Sequence, residues 1–360
     1  MQIESFQNAL LAWYFANERN LPWRYNHDPY RIWLSEVMLQ QTQVVTVIDY
    51  FNRFTSAYPT IFSLANASED EVFKLWEGLG YYSRARNLMK CAKFVVSEYQ
   101  GVFPNDLNLM LKLPGIGPYT AGAILSIAYN APVPAVDGNV LRVISRLYES
   151  YEDISNPKTR PLIEKIIYEL LPEDRRHFNQ AIMELGATIC TPRNPNCNLC
   201  PVSTKCKSFQ NQTVSLVPVK LKKQKKTEHG VPVGYLTFND QILLIKRDGV
   251  GLLSGLWGFP AIELEQGSTP DLEQQALIDW FSEYLDISVT LAAPLPLGHV
   301  KHVFTHKIWH LSLWHFKTET QVFVDLPQMK WVTRKDIKDF ALPTAFVKLI
   351  QKSEKGQLSK

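Results

Sequence analysis

Four cysteines, Cys190, Cys197, Cys200 and Cys206, fall within seventeen residues in the pattern C-x6-C-x2-C-x5-C. No other feature restricts the fold of this chain as tightly. Four soft thiolates this close either converge on a metal or pair as disulfides. Thiolate sets of this kind hold Zn²⁺ or an iron–sulfur cluster, and the spacing alone leaves that choice open. Disulfides need an oxidising compartment, and the opening stretch MQIESFQNALLAWYF has no basic segment leading into an apolar run and a cleavage site. The array therefore reads as a metal or cluster site. Cys91, the fifth cysteine, sits in an apolar helical pattern and is expected in the core.

The 360 residues suffice for two or three domains with real cores. No apolar run approaches the roughly 20 residues that span a bilayer. Net charge is only +3, too small to demand a nucleic-acid partner, but residues 220–226, KLKKQKK, carry five lysines in seven positions. Such a run is a solvated linker or lies along a phosphate backbone. It also divides the chain. Residues 1–210 read as all-α. Ser68-Glu69-Asp70-Glu71 is a capping-box start for a helix through Trp76, stopped by Gly78, and Asp28-Pro29 opens a helix expected to run to about Phe54. Beyond residue 230 the runs VPVGYLTF, QILLIKR and KIWHLSLWHF read as strands, while 271–285 keeps helical spacing. The C-terminal part is therefore α+β.

Three segments of the helical part carry chemistry. In Leu113-Pro-Gly-Ile-Gly-Pro-Tyr-Thr-Ala-Gly122, Gly115 and Gly117 flank one apolar residue between two helices, and Pro118 opens the second. A turn that tight is either an ordinary helical hairpin or one whose exposed amides hold a phosphate oxygen without a cationic side chain. Asp137, in Val-Asp-Gly-Asn-Val, precedes a helix and is expected both to cap it and to serve as a carboxylate kept charged by nearby amides. Glu36 lies in a helical segment whose spacing puts it on one face with Ile32, Leu39, Gln40 and Gln43. It is either a solvated flank residue or, if desolvated, a proton donor with a raised pKa. Two carboxylates in different environments are what cleavage of an N-glycosidic bond needs: one protonates the leaving base, the other supports an oxocarbenium-like sugar.

The segments WLSEVMLQQTQV, WEGLGYYSRARNL, LPGIGPYTAGAI, AVDGNVLRVISRL and ELGATIC with its cysteines resemble the MutY family of adenine DNA glycosylases, within the helix-hairpin-helix superfamily of endonuclease III. The resemblance covers nearly all of residues 5–210 and continues more loosely through KRDGVGLLSGLWGFP and HVFTH. It implies a multidomain protein: an all-α helix-hairpin-helix core with an iron–sulfur cluster subdomain, plus a C-terminal α+β Nudix-like domain. The boundaries expected are a six-helix barrel at 21–131, a cluster domain from 1–20 and 132–210, a basic linker at 211–228 and the Nudix-like domain at 229–360. It further implies a [4Fe–4S] cluster on Cys190, Cys197, Cys200 and Cys206.

By the same resemblance Glu36 protonates N7 of adenine, Asp137 stabilises the sugar cation or briefly bonds to it, and Asn139 orders the water and carboxylates. Tyr119 occupies the position where endonuclease III-like enzymes carry a lysine that forms a Schiff base, so strong β-lyase activity is not expected. Trp23, Arg24 and Gln180 would line the base pocket, and Gln41 and Tyr81 would enter the stack when adenine flips out. The bland reading of Tyr81 is packing between helices. The implied substrate is double-stranded DNA with 8-oxoguanine:adenine or guanine:adenine mispairs. The protein is expected to act as a monomer in the cytoplasm, at the nucleoid if the source is bacterial.

The C-terminal domain tests poorly as a hydrolase. Starting the Nudix pattern at Gly267, Glu273 fits, but the Arg-Glu positions hold Phe281 and Ser282, and the paired glutamates fall on Leu285 and Asp286. This domain is expected to bind and not to hydrolyse. His302, Phe304, Thr305 and His306 match the family's 8-oxoguanine-reading loop, with threonine in place of the usual serine. His302, His306 and His310 have i,i+4 spacing, but the β-branched residues among them favour a strand over a metal-binding helix. The competing readings are an endonuclease III-like glycosylase/lyase, a non-catalytic damage-binding protein, a nucleotide-pool hydrolase and a relative with altered mispair preference.

Overall fold

The computed structural model describes residues 2–221, 225–247, 251–319 and 328–357; for 355–357 it describes the backbone only. Parts of the lysine run and of KRDGVGLLSGLWGFP lie outside them. The chain forms two compact units, one of Met1–Ala67 with Ser83–Lys222, the other of Ser68–Tyr82 with Lys223–Lys360.

The first unit is all-helical. Its helices are α1 (Ile3–Asn17), α2 (Pro29–Leu39), α3 (Val44–Ala57) and α4 (Ile61–Ala65), then α6 (Ser83–Tyr99), α7 (Leu107–Met110), α8 (Pro118–Tyr129), α9 (Gly138–Tyr148), α10 (Thr159–Leu170), α11 (Arg175–Thr188) and α12 (Lys207–Gln210). The helix expected from Asp28 to about Phe54 is in fact two. Asp28 caps α2 by accepting from the Tyr30 amide, but α2 stops at Leu39, Gln41 turns to φ +58°, and α3 begins at Val44. Gln43 therefore leaves the face it was expected to share with Glu36.

α1, α9, α10 and α11 bury Phe6, Leu10, Ile144, Ile167 and Phe178 in one core. Elsewhere in this unit α2 packs on α8, with Trp33, Leu34 and Met38 of α2 and Ile124 of α8 buried. Cys91 is fully buried. Two glycines permit close approach between segments. A Cβ on Gly122 would stand 2.1 Å from the Pro134 carbonyl oxygen, and one on Gly186 would stand 2.6 Å from Asn139 Cβ. Both contacts are shorter than packed atoms tolerate.

The second unit contains α5 (Glu69–Trp76), whose Ser68 and Glu71 form the expected reciprocal capping box. Its strands are β1 (Thr227–Phe238), β2 (Gln241–Lys246), β3 (Trp257–Gly258), β4 (Leu264–Glu265), β5 (Thr290–Leu291), β6 (Gly298–Val303), β7 (Lys307–Lys317) and β8 (Met329–Thr333). Two helices, α13 (Pro270–Leu285) and α14 (Thr344–Gln357), complete it. The sheet runs β3-β2-β1-β7-β5, with β1 and β7 parallel and β6 pairing back on β7. Residues 68–82 are held within this unit: Asp70 Oδ1 accepts from Lys246 Nζ at 2.8 Å and Trp257 Nε1 at 3.3 Å, and Glu77 Oε1 accepts from the Leu342 amide at 3.2 Å.

At its arginine position the hydrolase pattern is replaced by core. Phe281 is fully buried with Leu277, Leu236, Trp314 and Phe316, where a Nudix hydrolase needs an arginine beside metal-binding carboxylates. The retained Glu273 accepts from Ser312 Oγ at 2.6 Å, Trp314 Nε1 at 2.9 Å and Ser268 Oγ at 3.2 Å. Its carboxylate is committed to holding α13 on β7.

Candidate active site

Ten residues singled out in the first unit converge on one cleft of about 770 Å³: Trp23, Arg24, Glu36, Gln41, Gly115, Gly117, Tyr119, Asp137, Asn139 and Gln180. α2 delivers Glu36, the N-terminus of α8 delivers Tyr119, and the start of α9 delivers Asp137 and Asn139. Glu36 is not a solvated flank residue; only 6 % of it is exposed. Burial pushes its pKa from an ordinary 4.5 to about 7. The Tyr119 hydroxyl and Arg24 pull it down, and the charge of Asp137 pushes it up. Tyr119 donates its hydroxyl hydrogen to Glu36 Oε2. Burial, and then the charges of Glu36 and Asp137, raise the phenol's own pKa well above 10, so it stays a donor.

Asp137 caps α9, accepting from the Val140 amide through Oδ1 at 2.7 Å and from Asn139 Nδ2 through Oδ2 at 2.7 Å. These bonds favour the charged carboxylate, as its sequence context suggests, and burial works against them. Burial raises its pKa above 3.8, and the amides and Arg142 oppose that rise without cancelling it. Its charge in turn raises the pKa of Glu36. Arg142 Nη2 donates to Asn139 Oδ1 and to the Gly186 carbonyl, both at 2.8 Å, fixing the asparagine's orientation.

The two glycines of the hairpin turn differ. Gly115 sits at φ +76°, and a Cβ there would also stand 2.7 Å from Asn87 Cβ. Gly117 has an ordinary φ of −98° and open space where a Cβ would stand. Neither backbone strain nor internal packing asks for glycine at Gly117.

Residue-by-residue reading missed Glu184, Arg19 and Arg160, which line the same cleft. Glu184 is almost fully buried. It accepts from Arg19 Nε at 2.6 Å and Nη2 at 2.9 Å, and from Arg24 Nη2 at 2.8 Å. Burial alone would raise its pKa, but the two guanidiniums outweigh burial and hold it below its ordinary value. The signal present was helical: Gln180 and Glu184 stand i,i+4 on α11. Its partners lie about 160 residues away, and nothing local announces them. Trp23, at the cleft wall, packs edge-on against Phe51 with ring centroids 5.4 Å apart.

The four array cysteines border one small apolar cavity with Val143, Leu147 and Val202. Arg146 Nη1 stands 3.4 Å from Cys190 Sγ, and Arg142 Nε donates to the Cys190 carbonyl at 2.7 Å. Burial pushes the Cys200 thiol up to about 12 and raises Cys197 and Cys206 as well. Thiolates there call for a cationic occupant. Four sulfurs on one zinc ion sit about 2.3 Å from it, yet among the described residues no three His, Cys, Asp or Glu side chains are placed to close on a single ion. Four soft thiol donors around one cavity suit either a zinc ion or an iron–sulfur cluster.

The remaining residues belong to the second unit. The i,i+4 histidines lie on a hairpin, as their β-branched neighbours suggest, with His302 opposite Trp309 on β6 and β7. Phe304 is half-buried, its ring edge-on to His302 at 4.5 Å and Trp309 at 4.8 Å. Thr305 and His306 at the turn are exposed. Burial and then Lys348 lower the His302 pKa, so it is neutral at physiological pH. Tyr81 is exposed, at φ +49°, with its hydroxyl 3.5 Å from Thr305 Oγ1.

The helical core and its cleft are those of a helix-hairpin-helix DNA glycosylase. Residues 34–170 match the family described as HhH-GPD superfamily base excision DNA repair protein, and residues 233–352 match the NUDIX domain. The chain is similar to the adenine DNA glycosylase of Buchnera aphidicola subsp. Baizongia pistaciae, 34% identical over 97% of both chains. It is also similar to the human adenine DNA glycosylase, 33% identical over 97% of this chain and 74% of that one. A thermostable thymine-DNA glycosylase superposes with a TM-score of 0.53 at 28% identity, over 58% of this chain and 97% of its own. A trapped endonuclease III–DNA covalent intermediate gives 0.50 at 23% identity, over 59% and 99%, a likeness of fold. The chain belongs to the adenine DNA glycosylase family. No helix among the described residues is long and apolar enough to cross a membrane.

Proposed function

We propose that this chain excises adenine mispaired with 8-oxoguanine, and with guanine, from double-stranded DNA, acting as a monofunctional glycosylase. The observation that carries the reading is the buried Glu36 and the half-buried Asp137 in one cleft, with a phenol where a Schiff-base lysine would stand. The residues bordering that cleft include no lysine among the described residues.

Adenine enters the cleft after flipping, which costs a few kcal/mol and less at a mispair. Trp23 forms an apolar wall, and Arg24, held by Glu184, offers polar recognition together with Gln180. Near neutral pH Glu36 is about half protonated. Tyr119 occupies Oε2, leaving Oε1 to carry the proton to adenine N7. As the N9–C1′ bond breaks, its electron pair leaves with the base. The carboxylate of Asp137 supports the positive sugar. Water adds at C1′, oriented by Asn139, and gives its proton to Asp137. Gly115 and Gly117 bring backbone amides to a phosphate oxygen. Gln41 and Tyr81 serve as wedge residues, and the turn at Phe304, Thr305 and His306 reads 8-oxoguanine.

The cavity of Cys190, Cys197, Cys200 and Cys206 suits a [4Fe–4S] cluster. When bound, that cluster cross-links the 190–206 segment and adds a fixed charge near Arg146. The second unit binds and does not hydrolyse nucleotides. Glu36→Gln tests the mechanism: the variant should bind mispaired duplex with near-normal affinity yet lose about 10²–10⁴-fold in single-turnover excision, the usual share of a general acid. Near-normal excision would remove Glu36 as the proton donor.

A further inference from the structure

We propose that Arg84 is a positioning residue for excision: it caps the helix that carries Glu36 and holds the Gln40–Thr42 turn on the cleft rim. The inference rests on the glycosylase reading above, and it concerns a side chain that touches neither base nor sugar. Arg84 lies on α6 and is 8 % exposed. Its Nη1 donates to the carbonyl oxygens of Val37 and Met38 at 2.9 Å and Gln40 at 2.6 Å, and its Nη2 to Thr42 Oγ1 at 3.3 Å.

In a continuing α-helix those three carbonyls would accept from the amides of residues 41, 42 and 44. Here the guanidinium takes their place at the negative end of the helix dipole. The chain is thereby free to leave the helix after Leu39 and to pass Gln41 through φ +58°, a conformation that residues other than glycine rarely adopt. Glu36 directly precedes the first capped carbonyl, and Glu36, Gln40, Gln41 and Thr42 all face the cleft. One buried cation thus sets both the proton donor and the wedge residue. A lysine could supply the charge, but as a point donor it cannot reach all four acceptors in one geometry.

The test uses the full-length protein, the variants Arg84→Gln and Arg84→Lys, and two duplexes. One duplex carries 8-oxoguanine opposite adenine for single-turnover excision, normalised to active protein. The other carries 8-oxoguanine opposite 2-aminopurine, whose fluorescence rises on unstacking. Arg84→Gln should excise about 10²-fold more slowly at saturating protein, the loss expected for a reacting group displaced by about an ångström. Arg84→Lys should stand about tenfold above it and about tenfold below the parent chain. Both should show a smaller fluorescence rise while binding unmodified duplex within about twofold of the parent. Variants within about twofold of the parent in both readouts overturn the proposal, as does equal slowing of the two with the full fluorescence rise. Should Arg84→Gln not fold, Arg84→Lys alone decides on the same two criteria. Failure of the parent chain to release adenine would sink the glycosylase reading instead, and the fluorescence would still report on Arg84.

Discussion

In the proposed mechanism Glu36 and Asp137 divide the chemistry between them, and the fold gives them unequal surroundings to match. Glu36 has lost water and gained one phenolic donor; Asp137 has lost water and gained a helix N-terminus and an asparagine. The reaction needs the first protonated and the second ionised, so single-turnover excision should follow a bell-shaped pH profile. The rate should fall tenfold per unit above about pH 7, as Glu36 loses its proton. Glu36→Gln should lack that alkaline limb; a limb that persists would place it on another group. Stability gives an independent check with its own sign. The folded pKa of about 7 lies above the ordinary 4.5, so the folded state binds more protons in between, and stability is lost as pH rises from about 4.5 to about 7. Thermal unfolding of Glu36→Gln at pH 8 should therefore come a few degrees above the parent, and near pH 4 the gain should vanish. Equal melting temperatures at pH 8 would mean that burial does not raise this carboxyl.

Among the elements, the hairpin between α7 and α8 carries two glycines of different standing, and substituting each tests whether the turn meets DNA. Gly115→Ala meets both a left-handed φ and the Asn87 side chain, so it should lower thermal stability together with binding. Gly117→Ala meets neither, so its melting temperature should match the parent while duplex affinity falls about tenfold or more, read by fluorescence anisotropy. Unchanged affinity for Gly117→Ala would remove this turn from the DNA interface. Local signals made much of this scale legible. The Ser68–Glu71 capping box, the Asp28 and Asp137 caps and the opening Pro118 are written within three or four residues. The break after Leu39 was not legible, because the donor that satisfies its carbonyls, Arg84, is more than forty residues away. Glu184 escaped notice for the same reason, being defined by arginines at the other end of the helical unit.

At the scale of the whole molecule the chain combines a catalytic unit with one whose Nudix arginine position has become core and whose glutamate positions hold Ser282, Leu285 and Asp286. The broken Nudix pattern is legible in the sequence, and packing adds that Phe281 at its arginine position is buried and that Glu273 is bound to Ser312 and Trp314. That residues 68–82 fold within the second unit was invisible to a linear reading, since their tie is a set of side-chain bonds to Lys246, Trp257 and the Leu342 amide. If the second unit reads the lesion, alanine at Phe304, Thr305 and His306 together should reduce the preference for 8-oxoguanine:adenine over guanine:adenine by about tenfold or more, while affinity for unmodified duplex changes less than threefold. Equal losses on both would make the turn a general DNA contact.

The central claim is adenine excision without strand cleavage by the protein. A duplex with one 8-oxoguanine:adenine pair, labelled on the adenine strand, should be incubated with the purified chain and resolved with and without hot alkali. The account predicts a cut strand only after alkali, since excision leaves an abasic site that Tyr119 cannot convert to a Schiff base. A cut without alkali would contradict it by requiring an amine nucleophile in the cleft, and an intact strand in both lanes would show that the chain binds damage without removing the base.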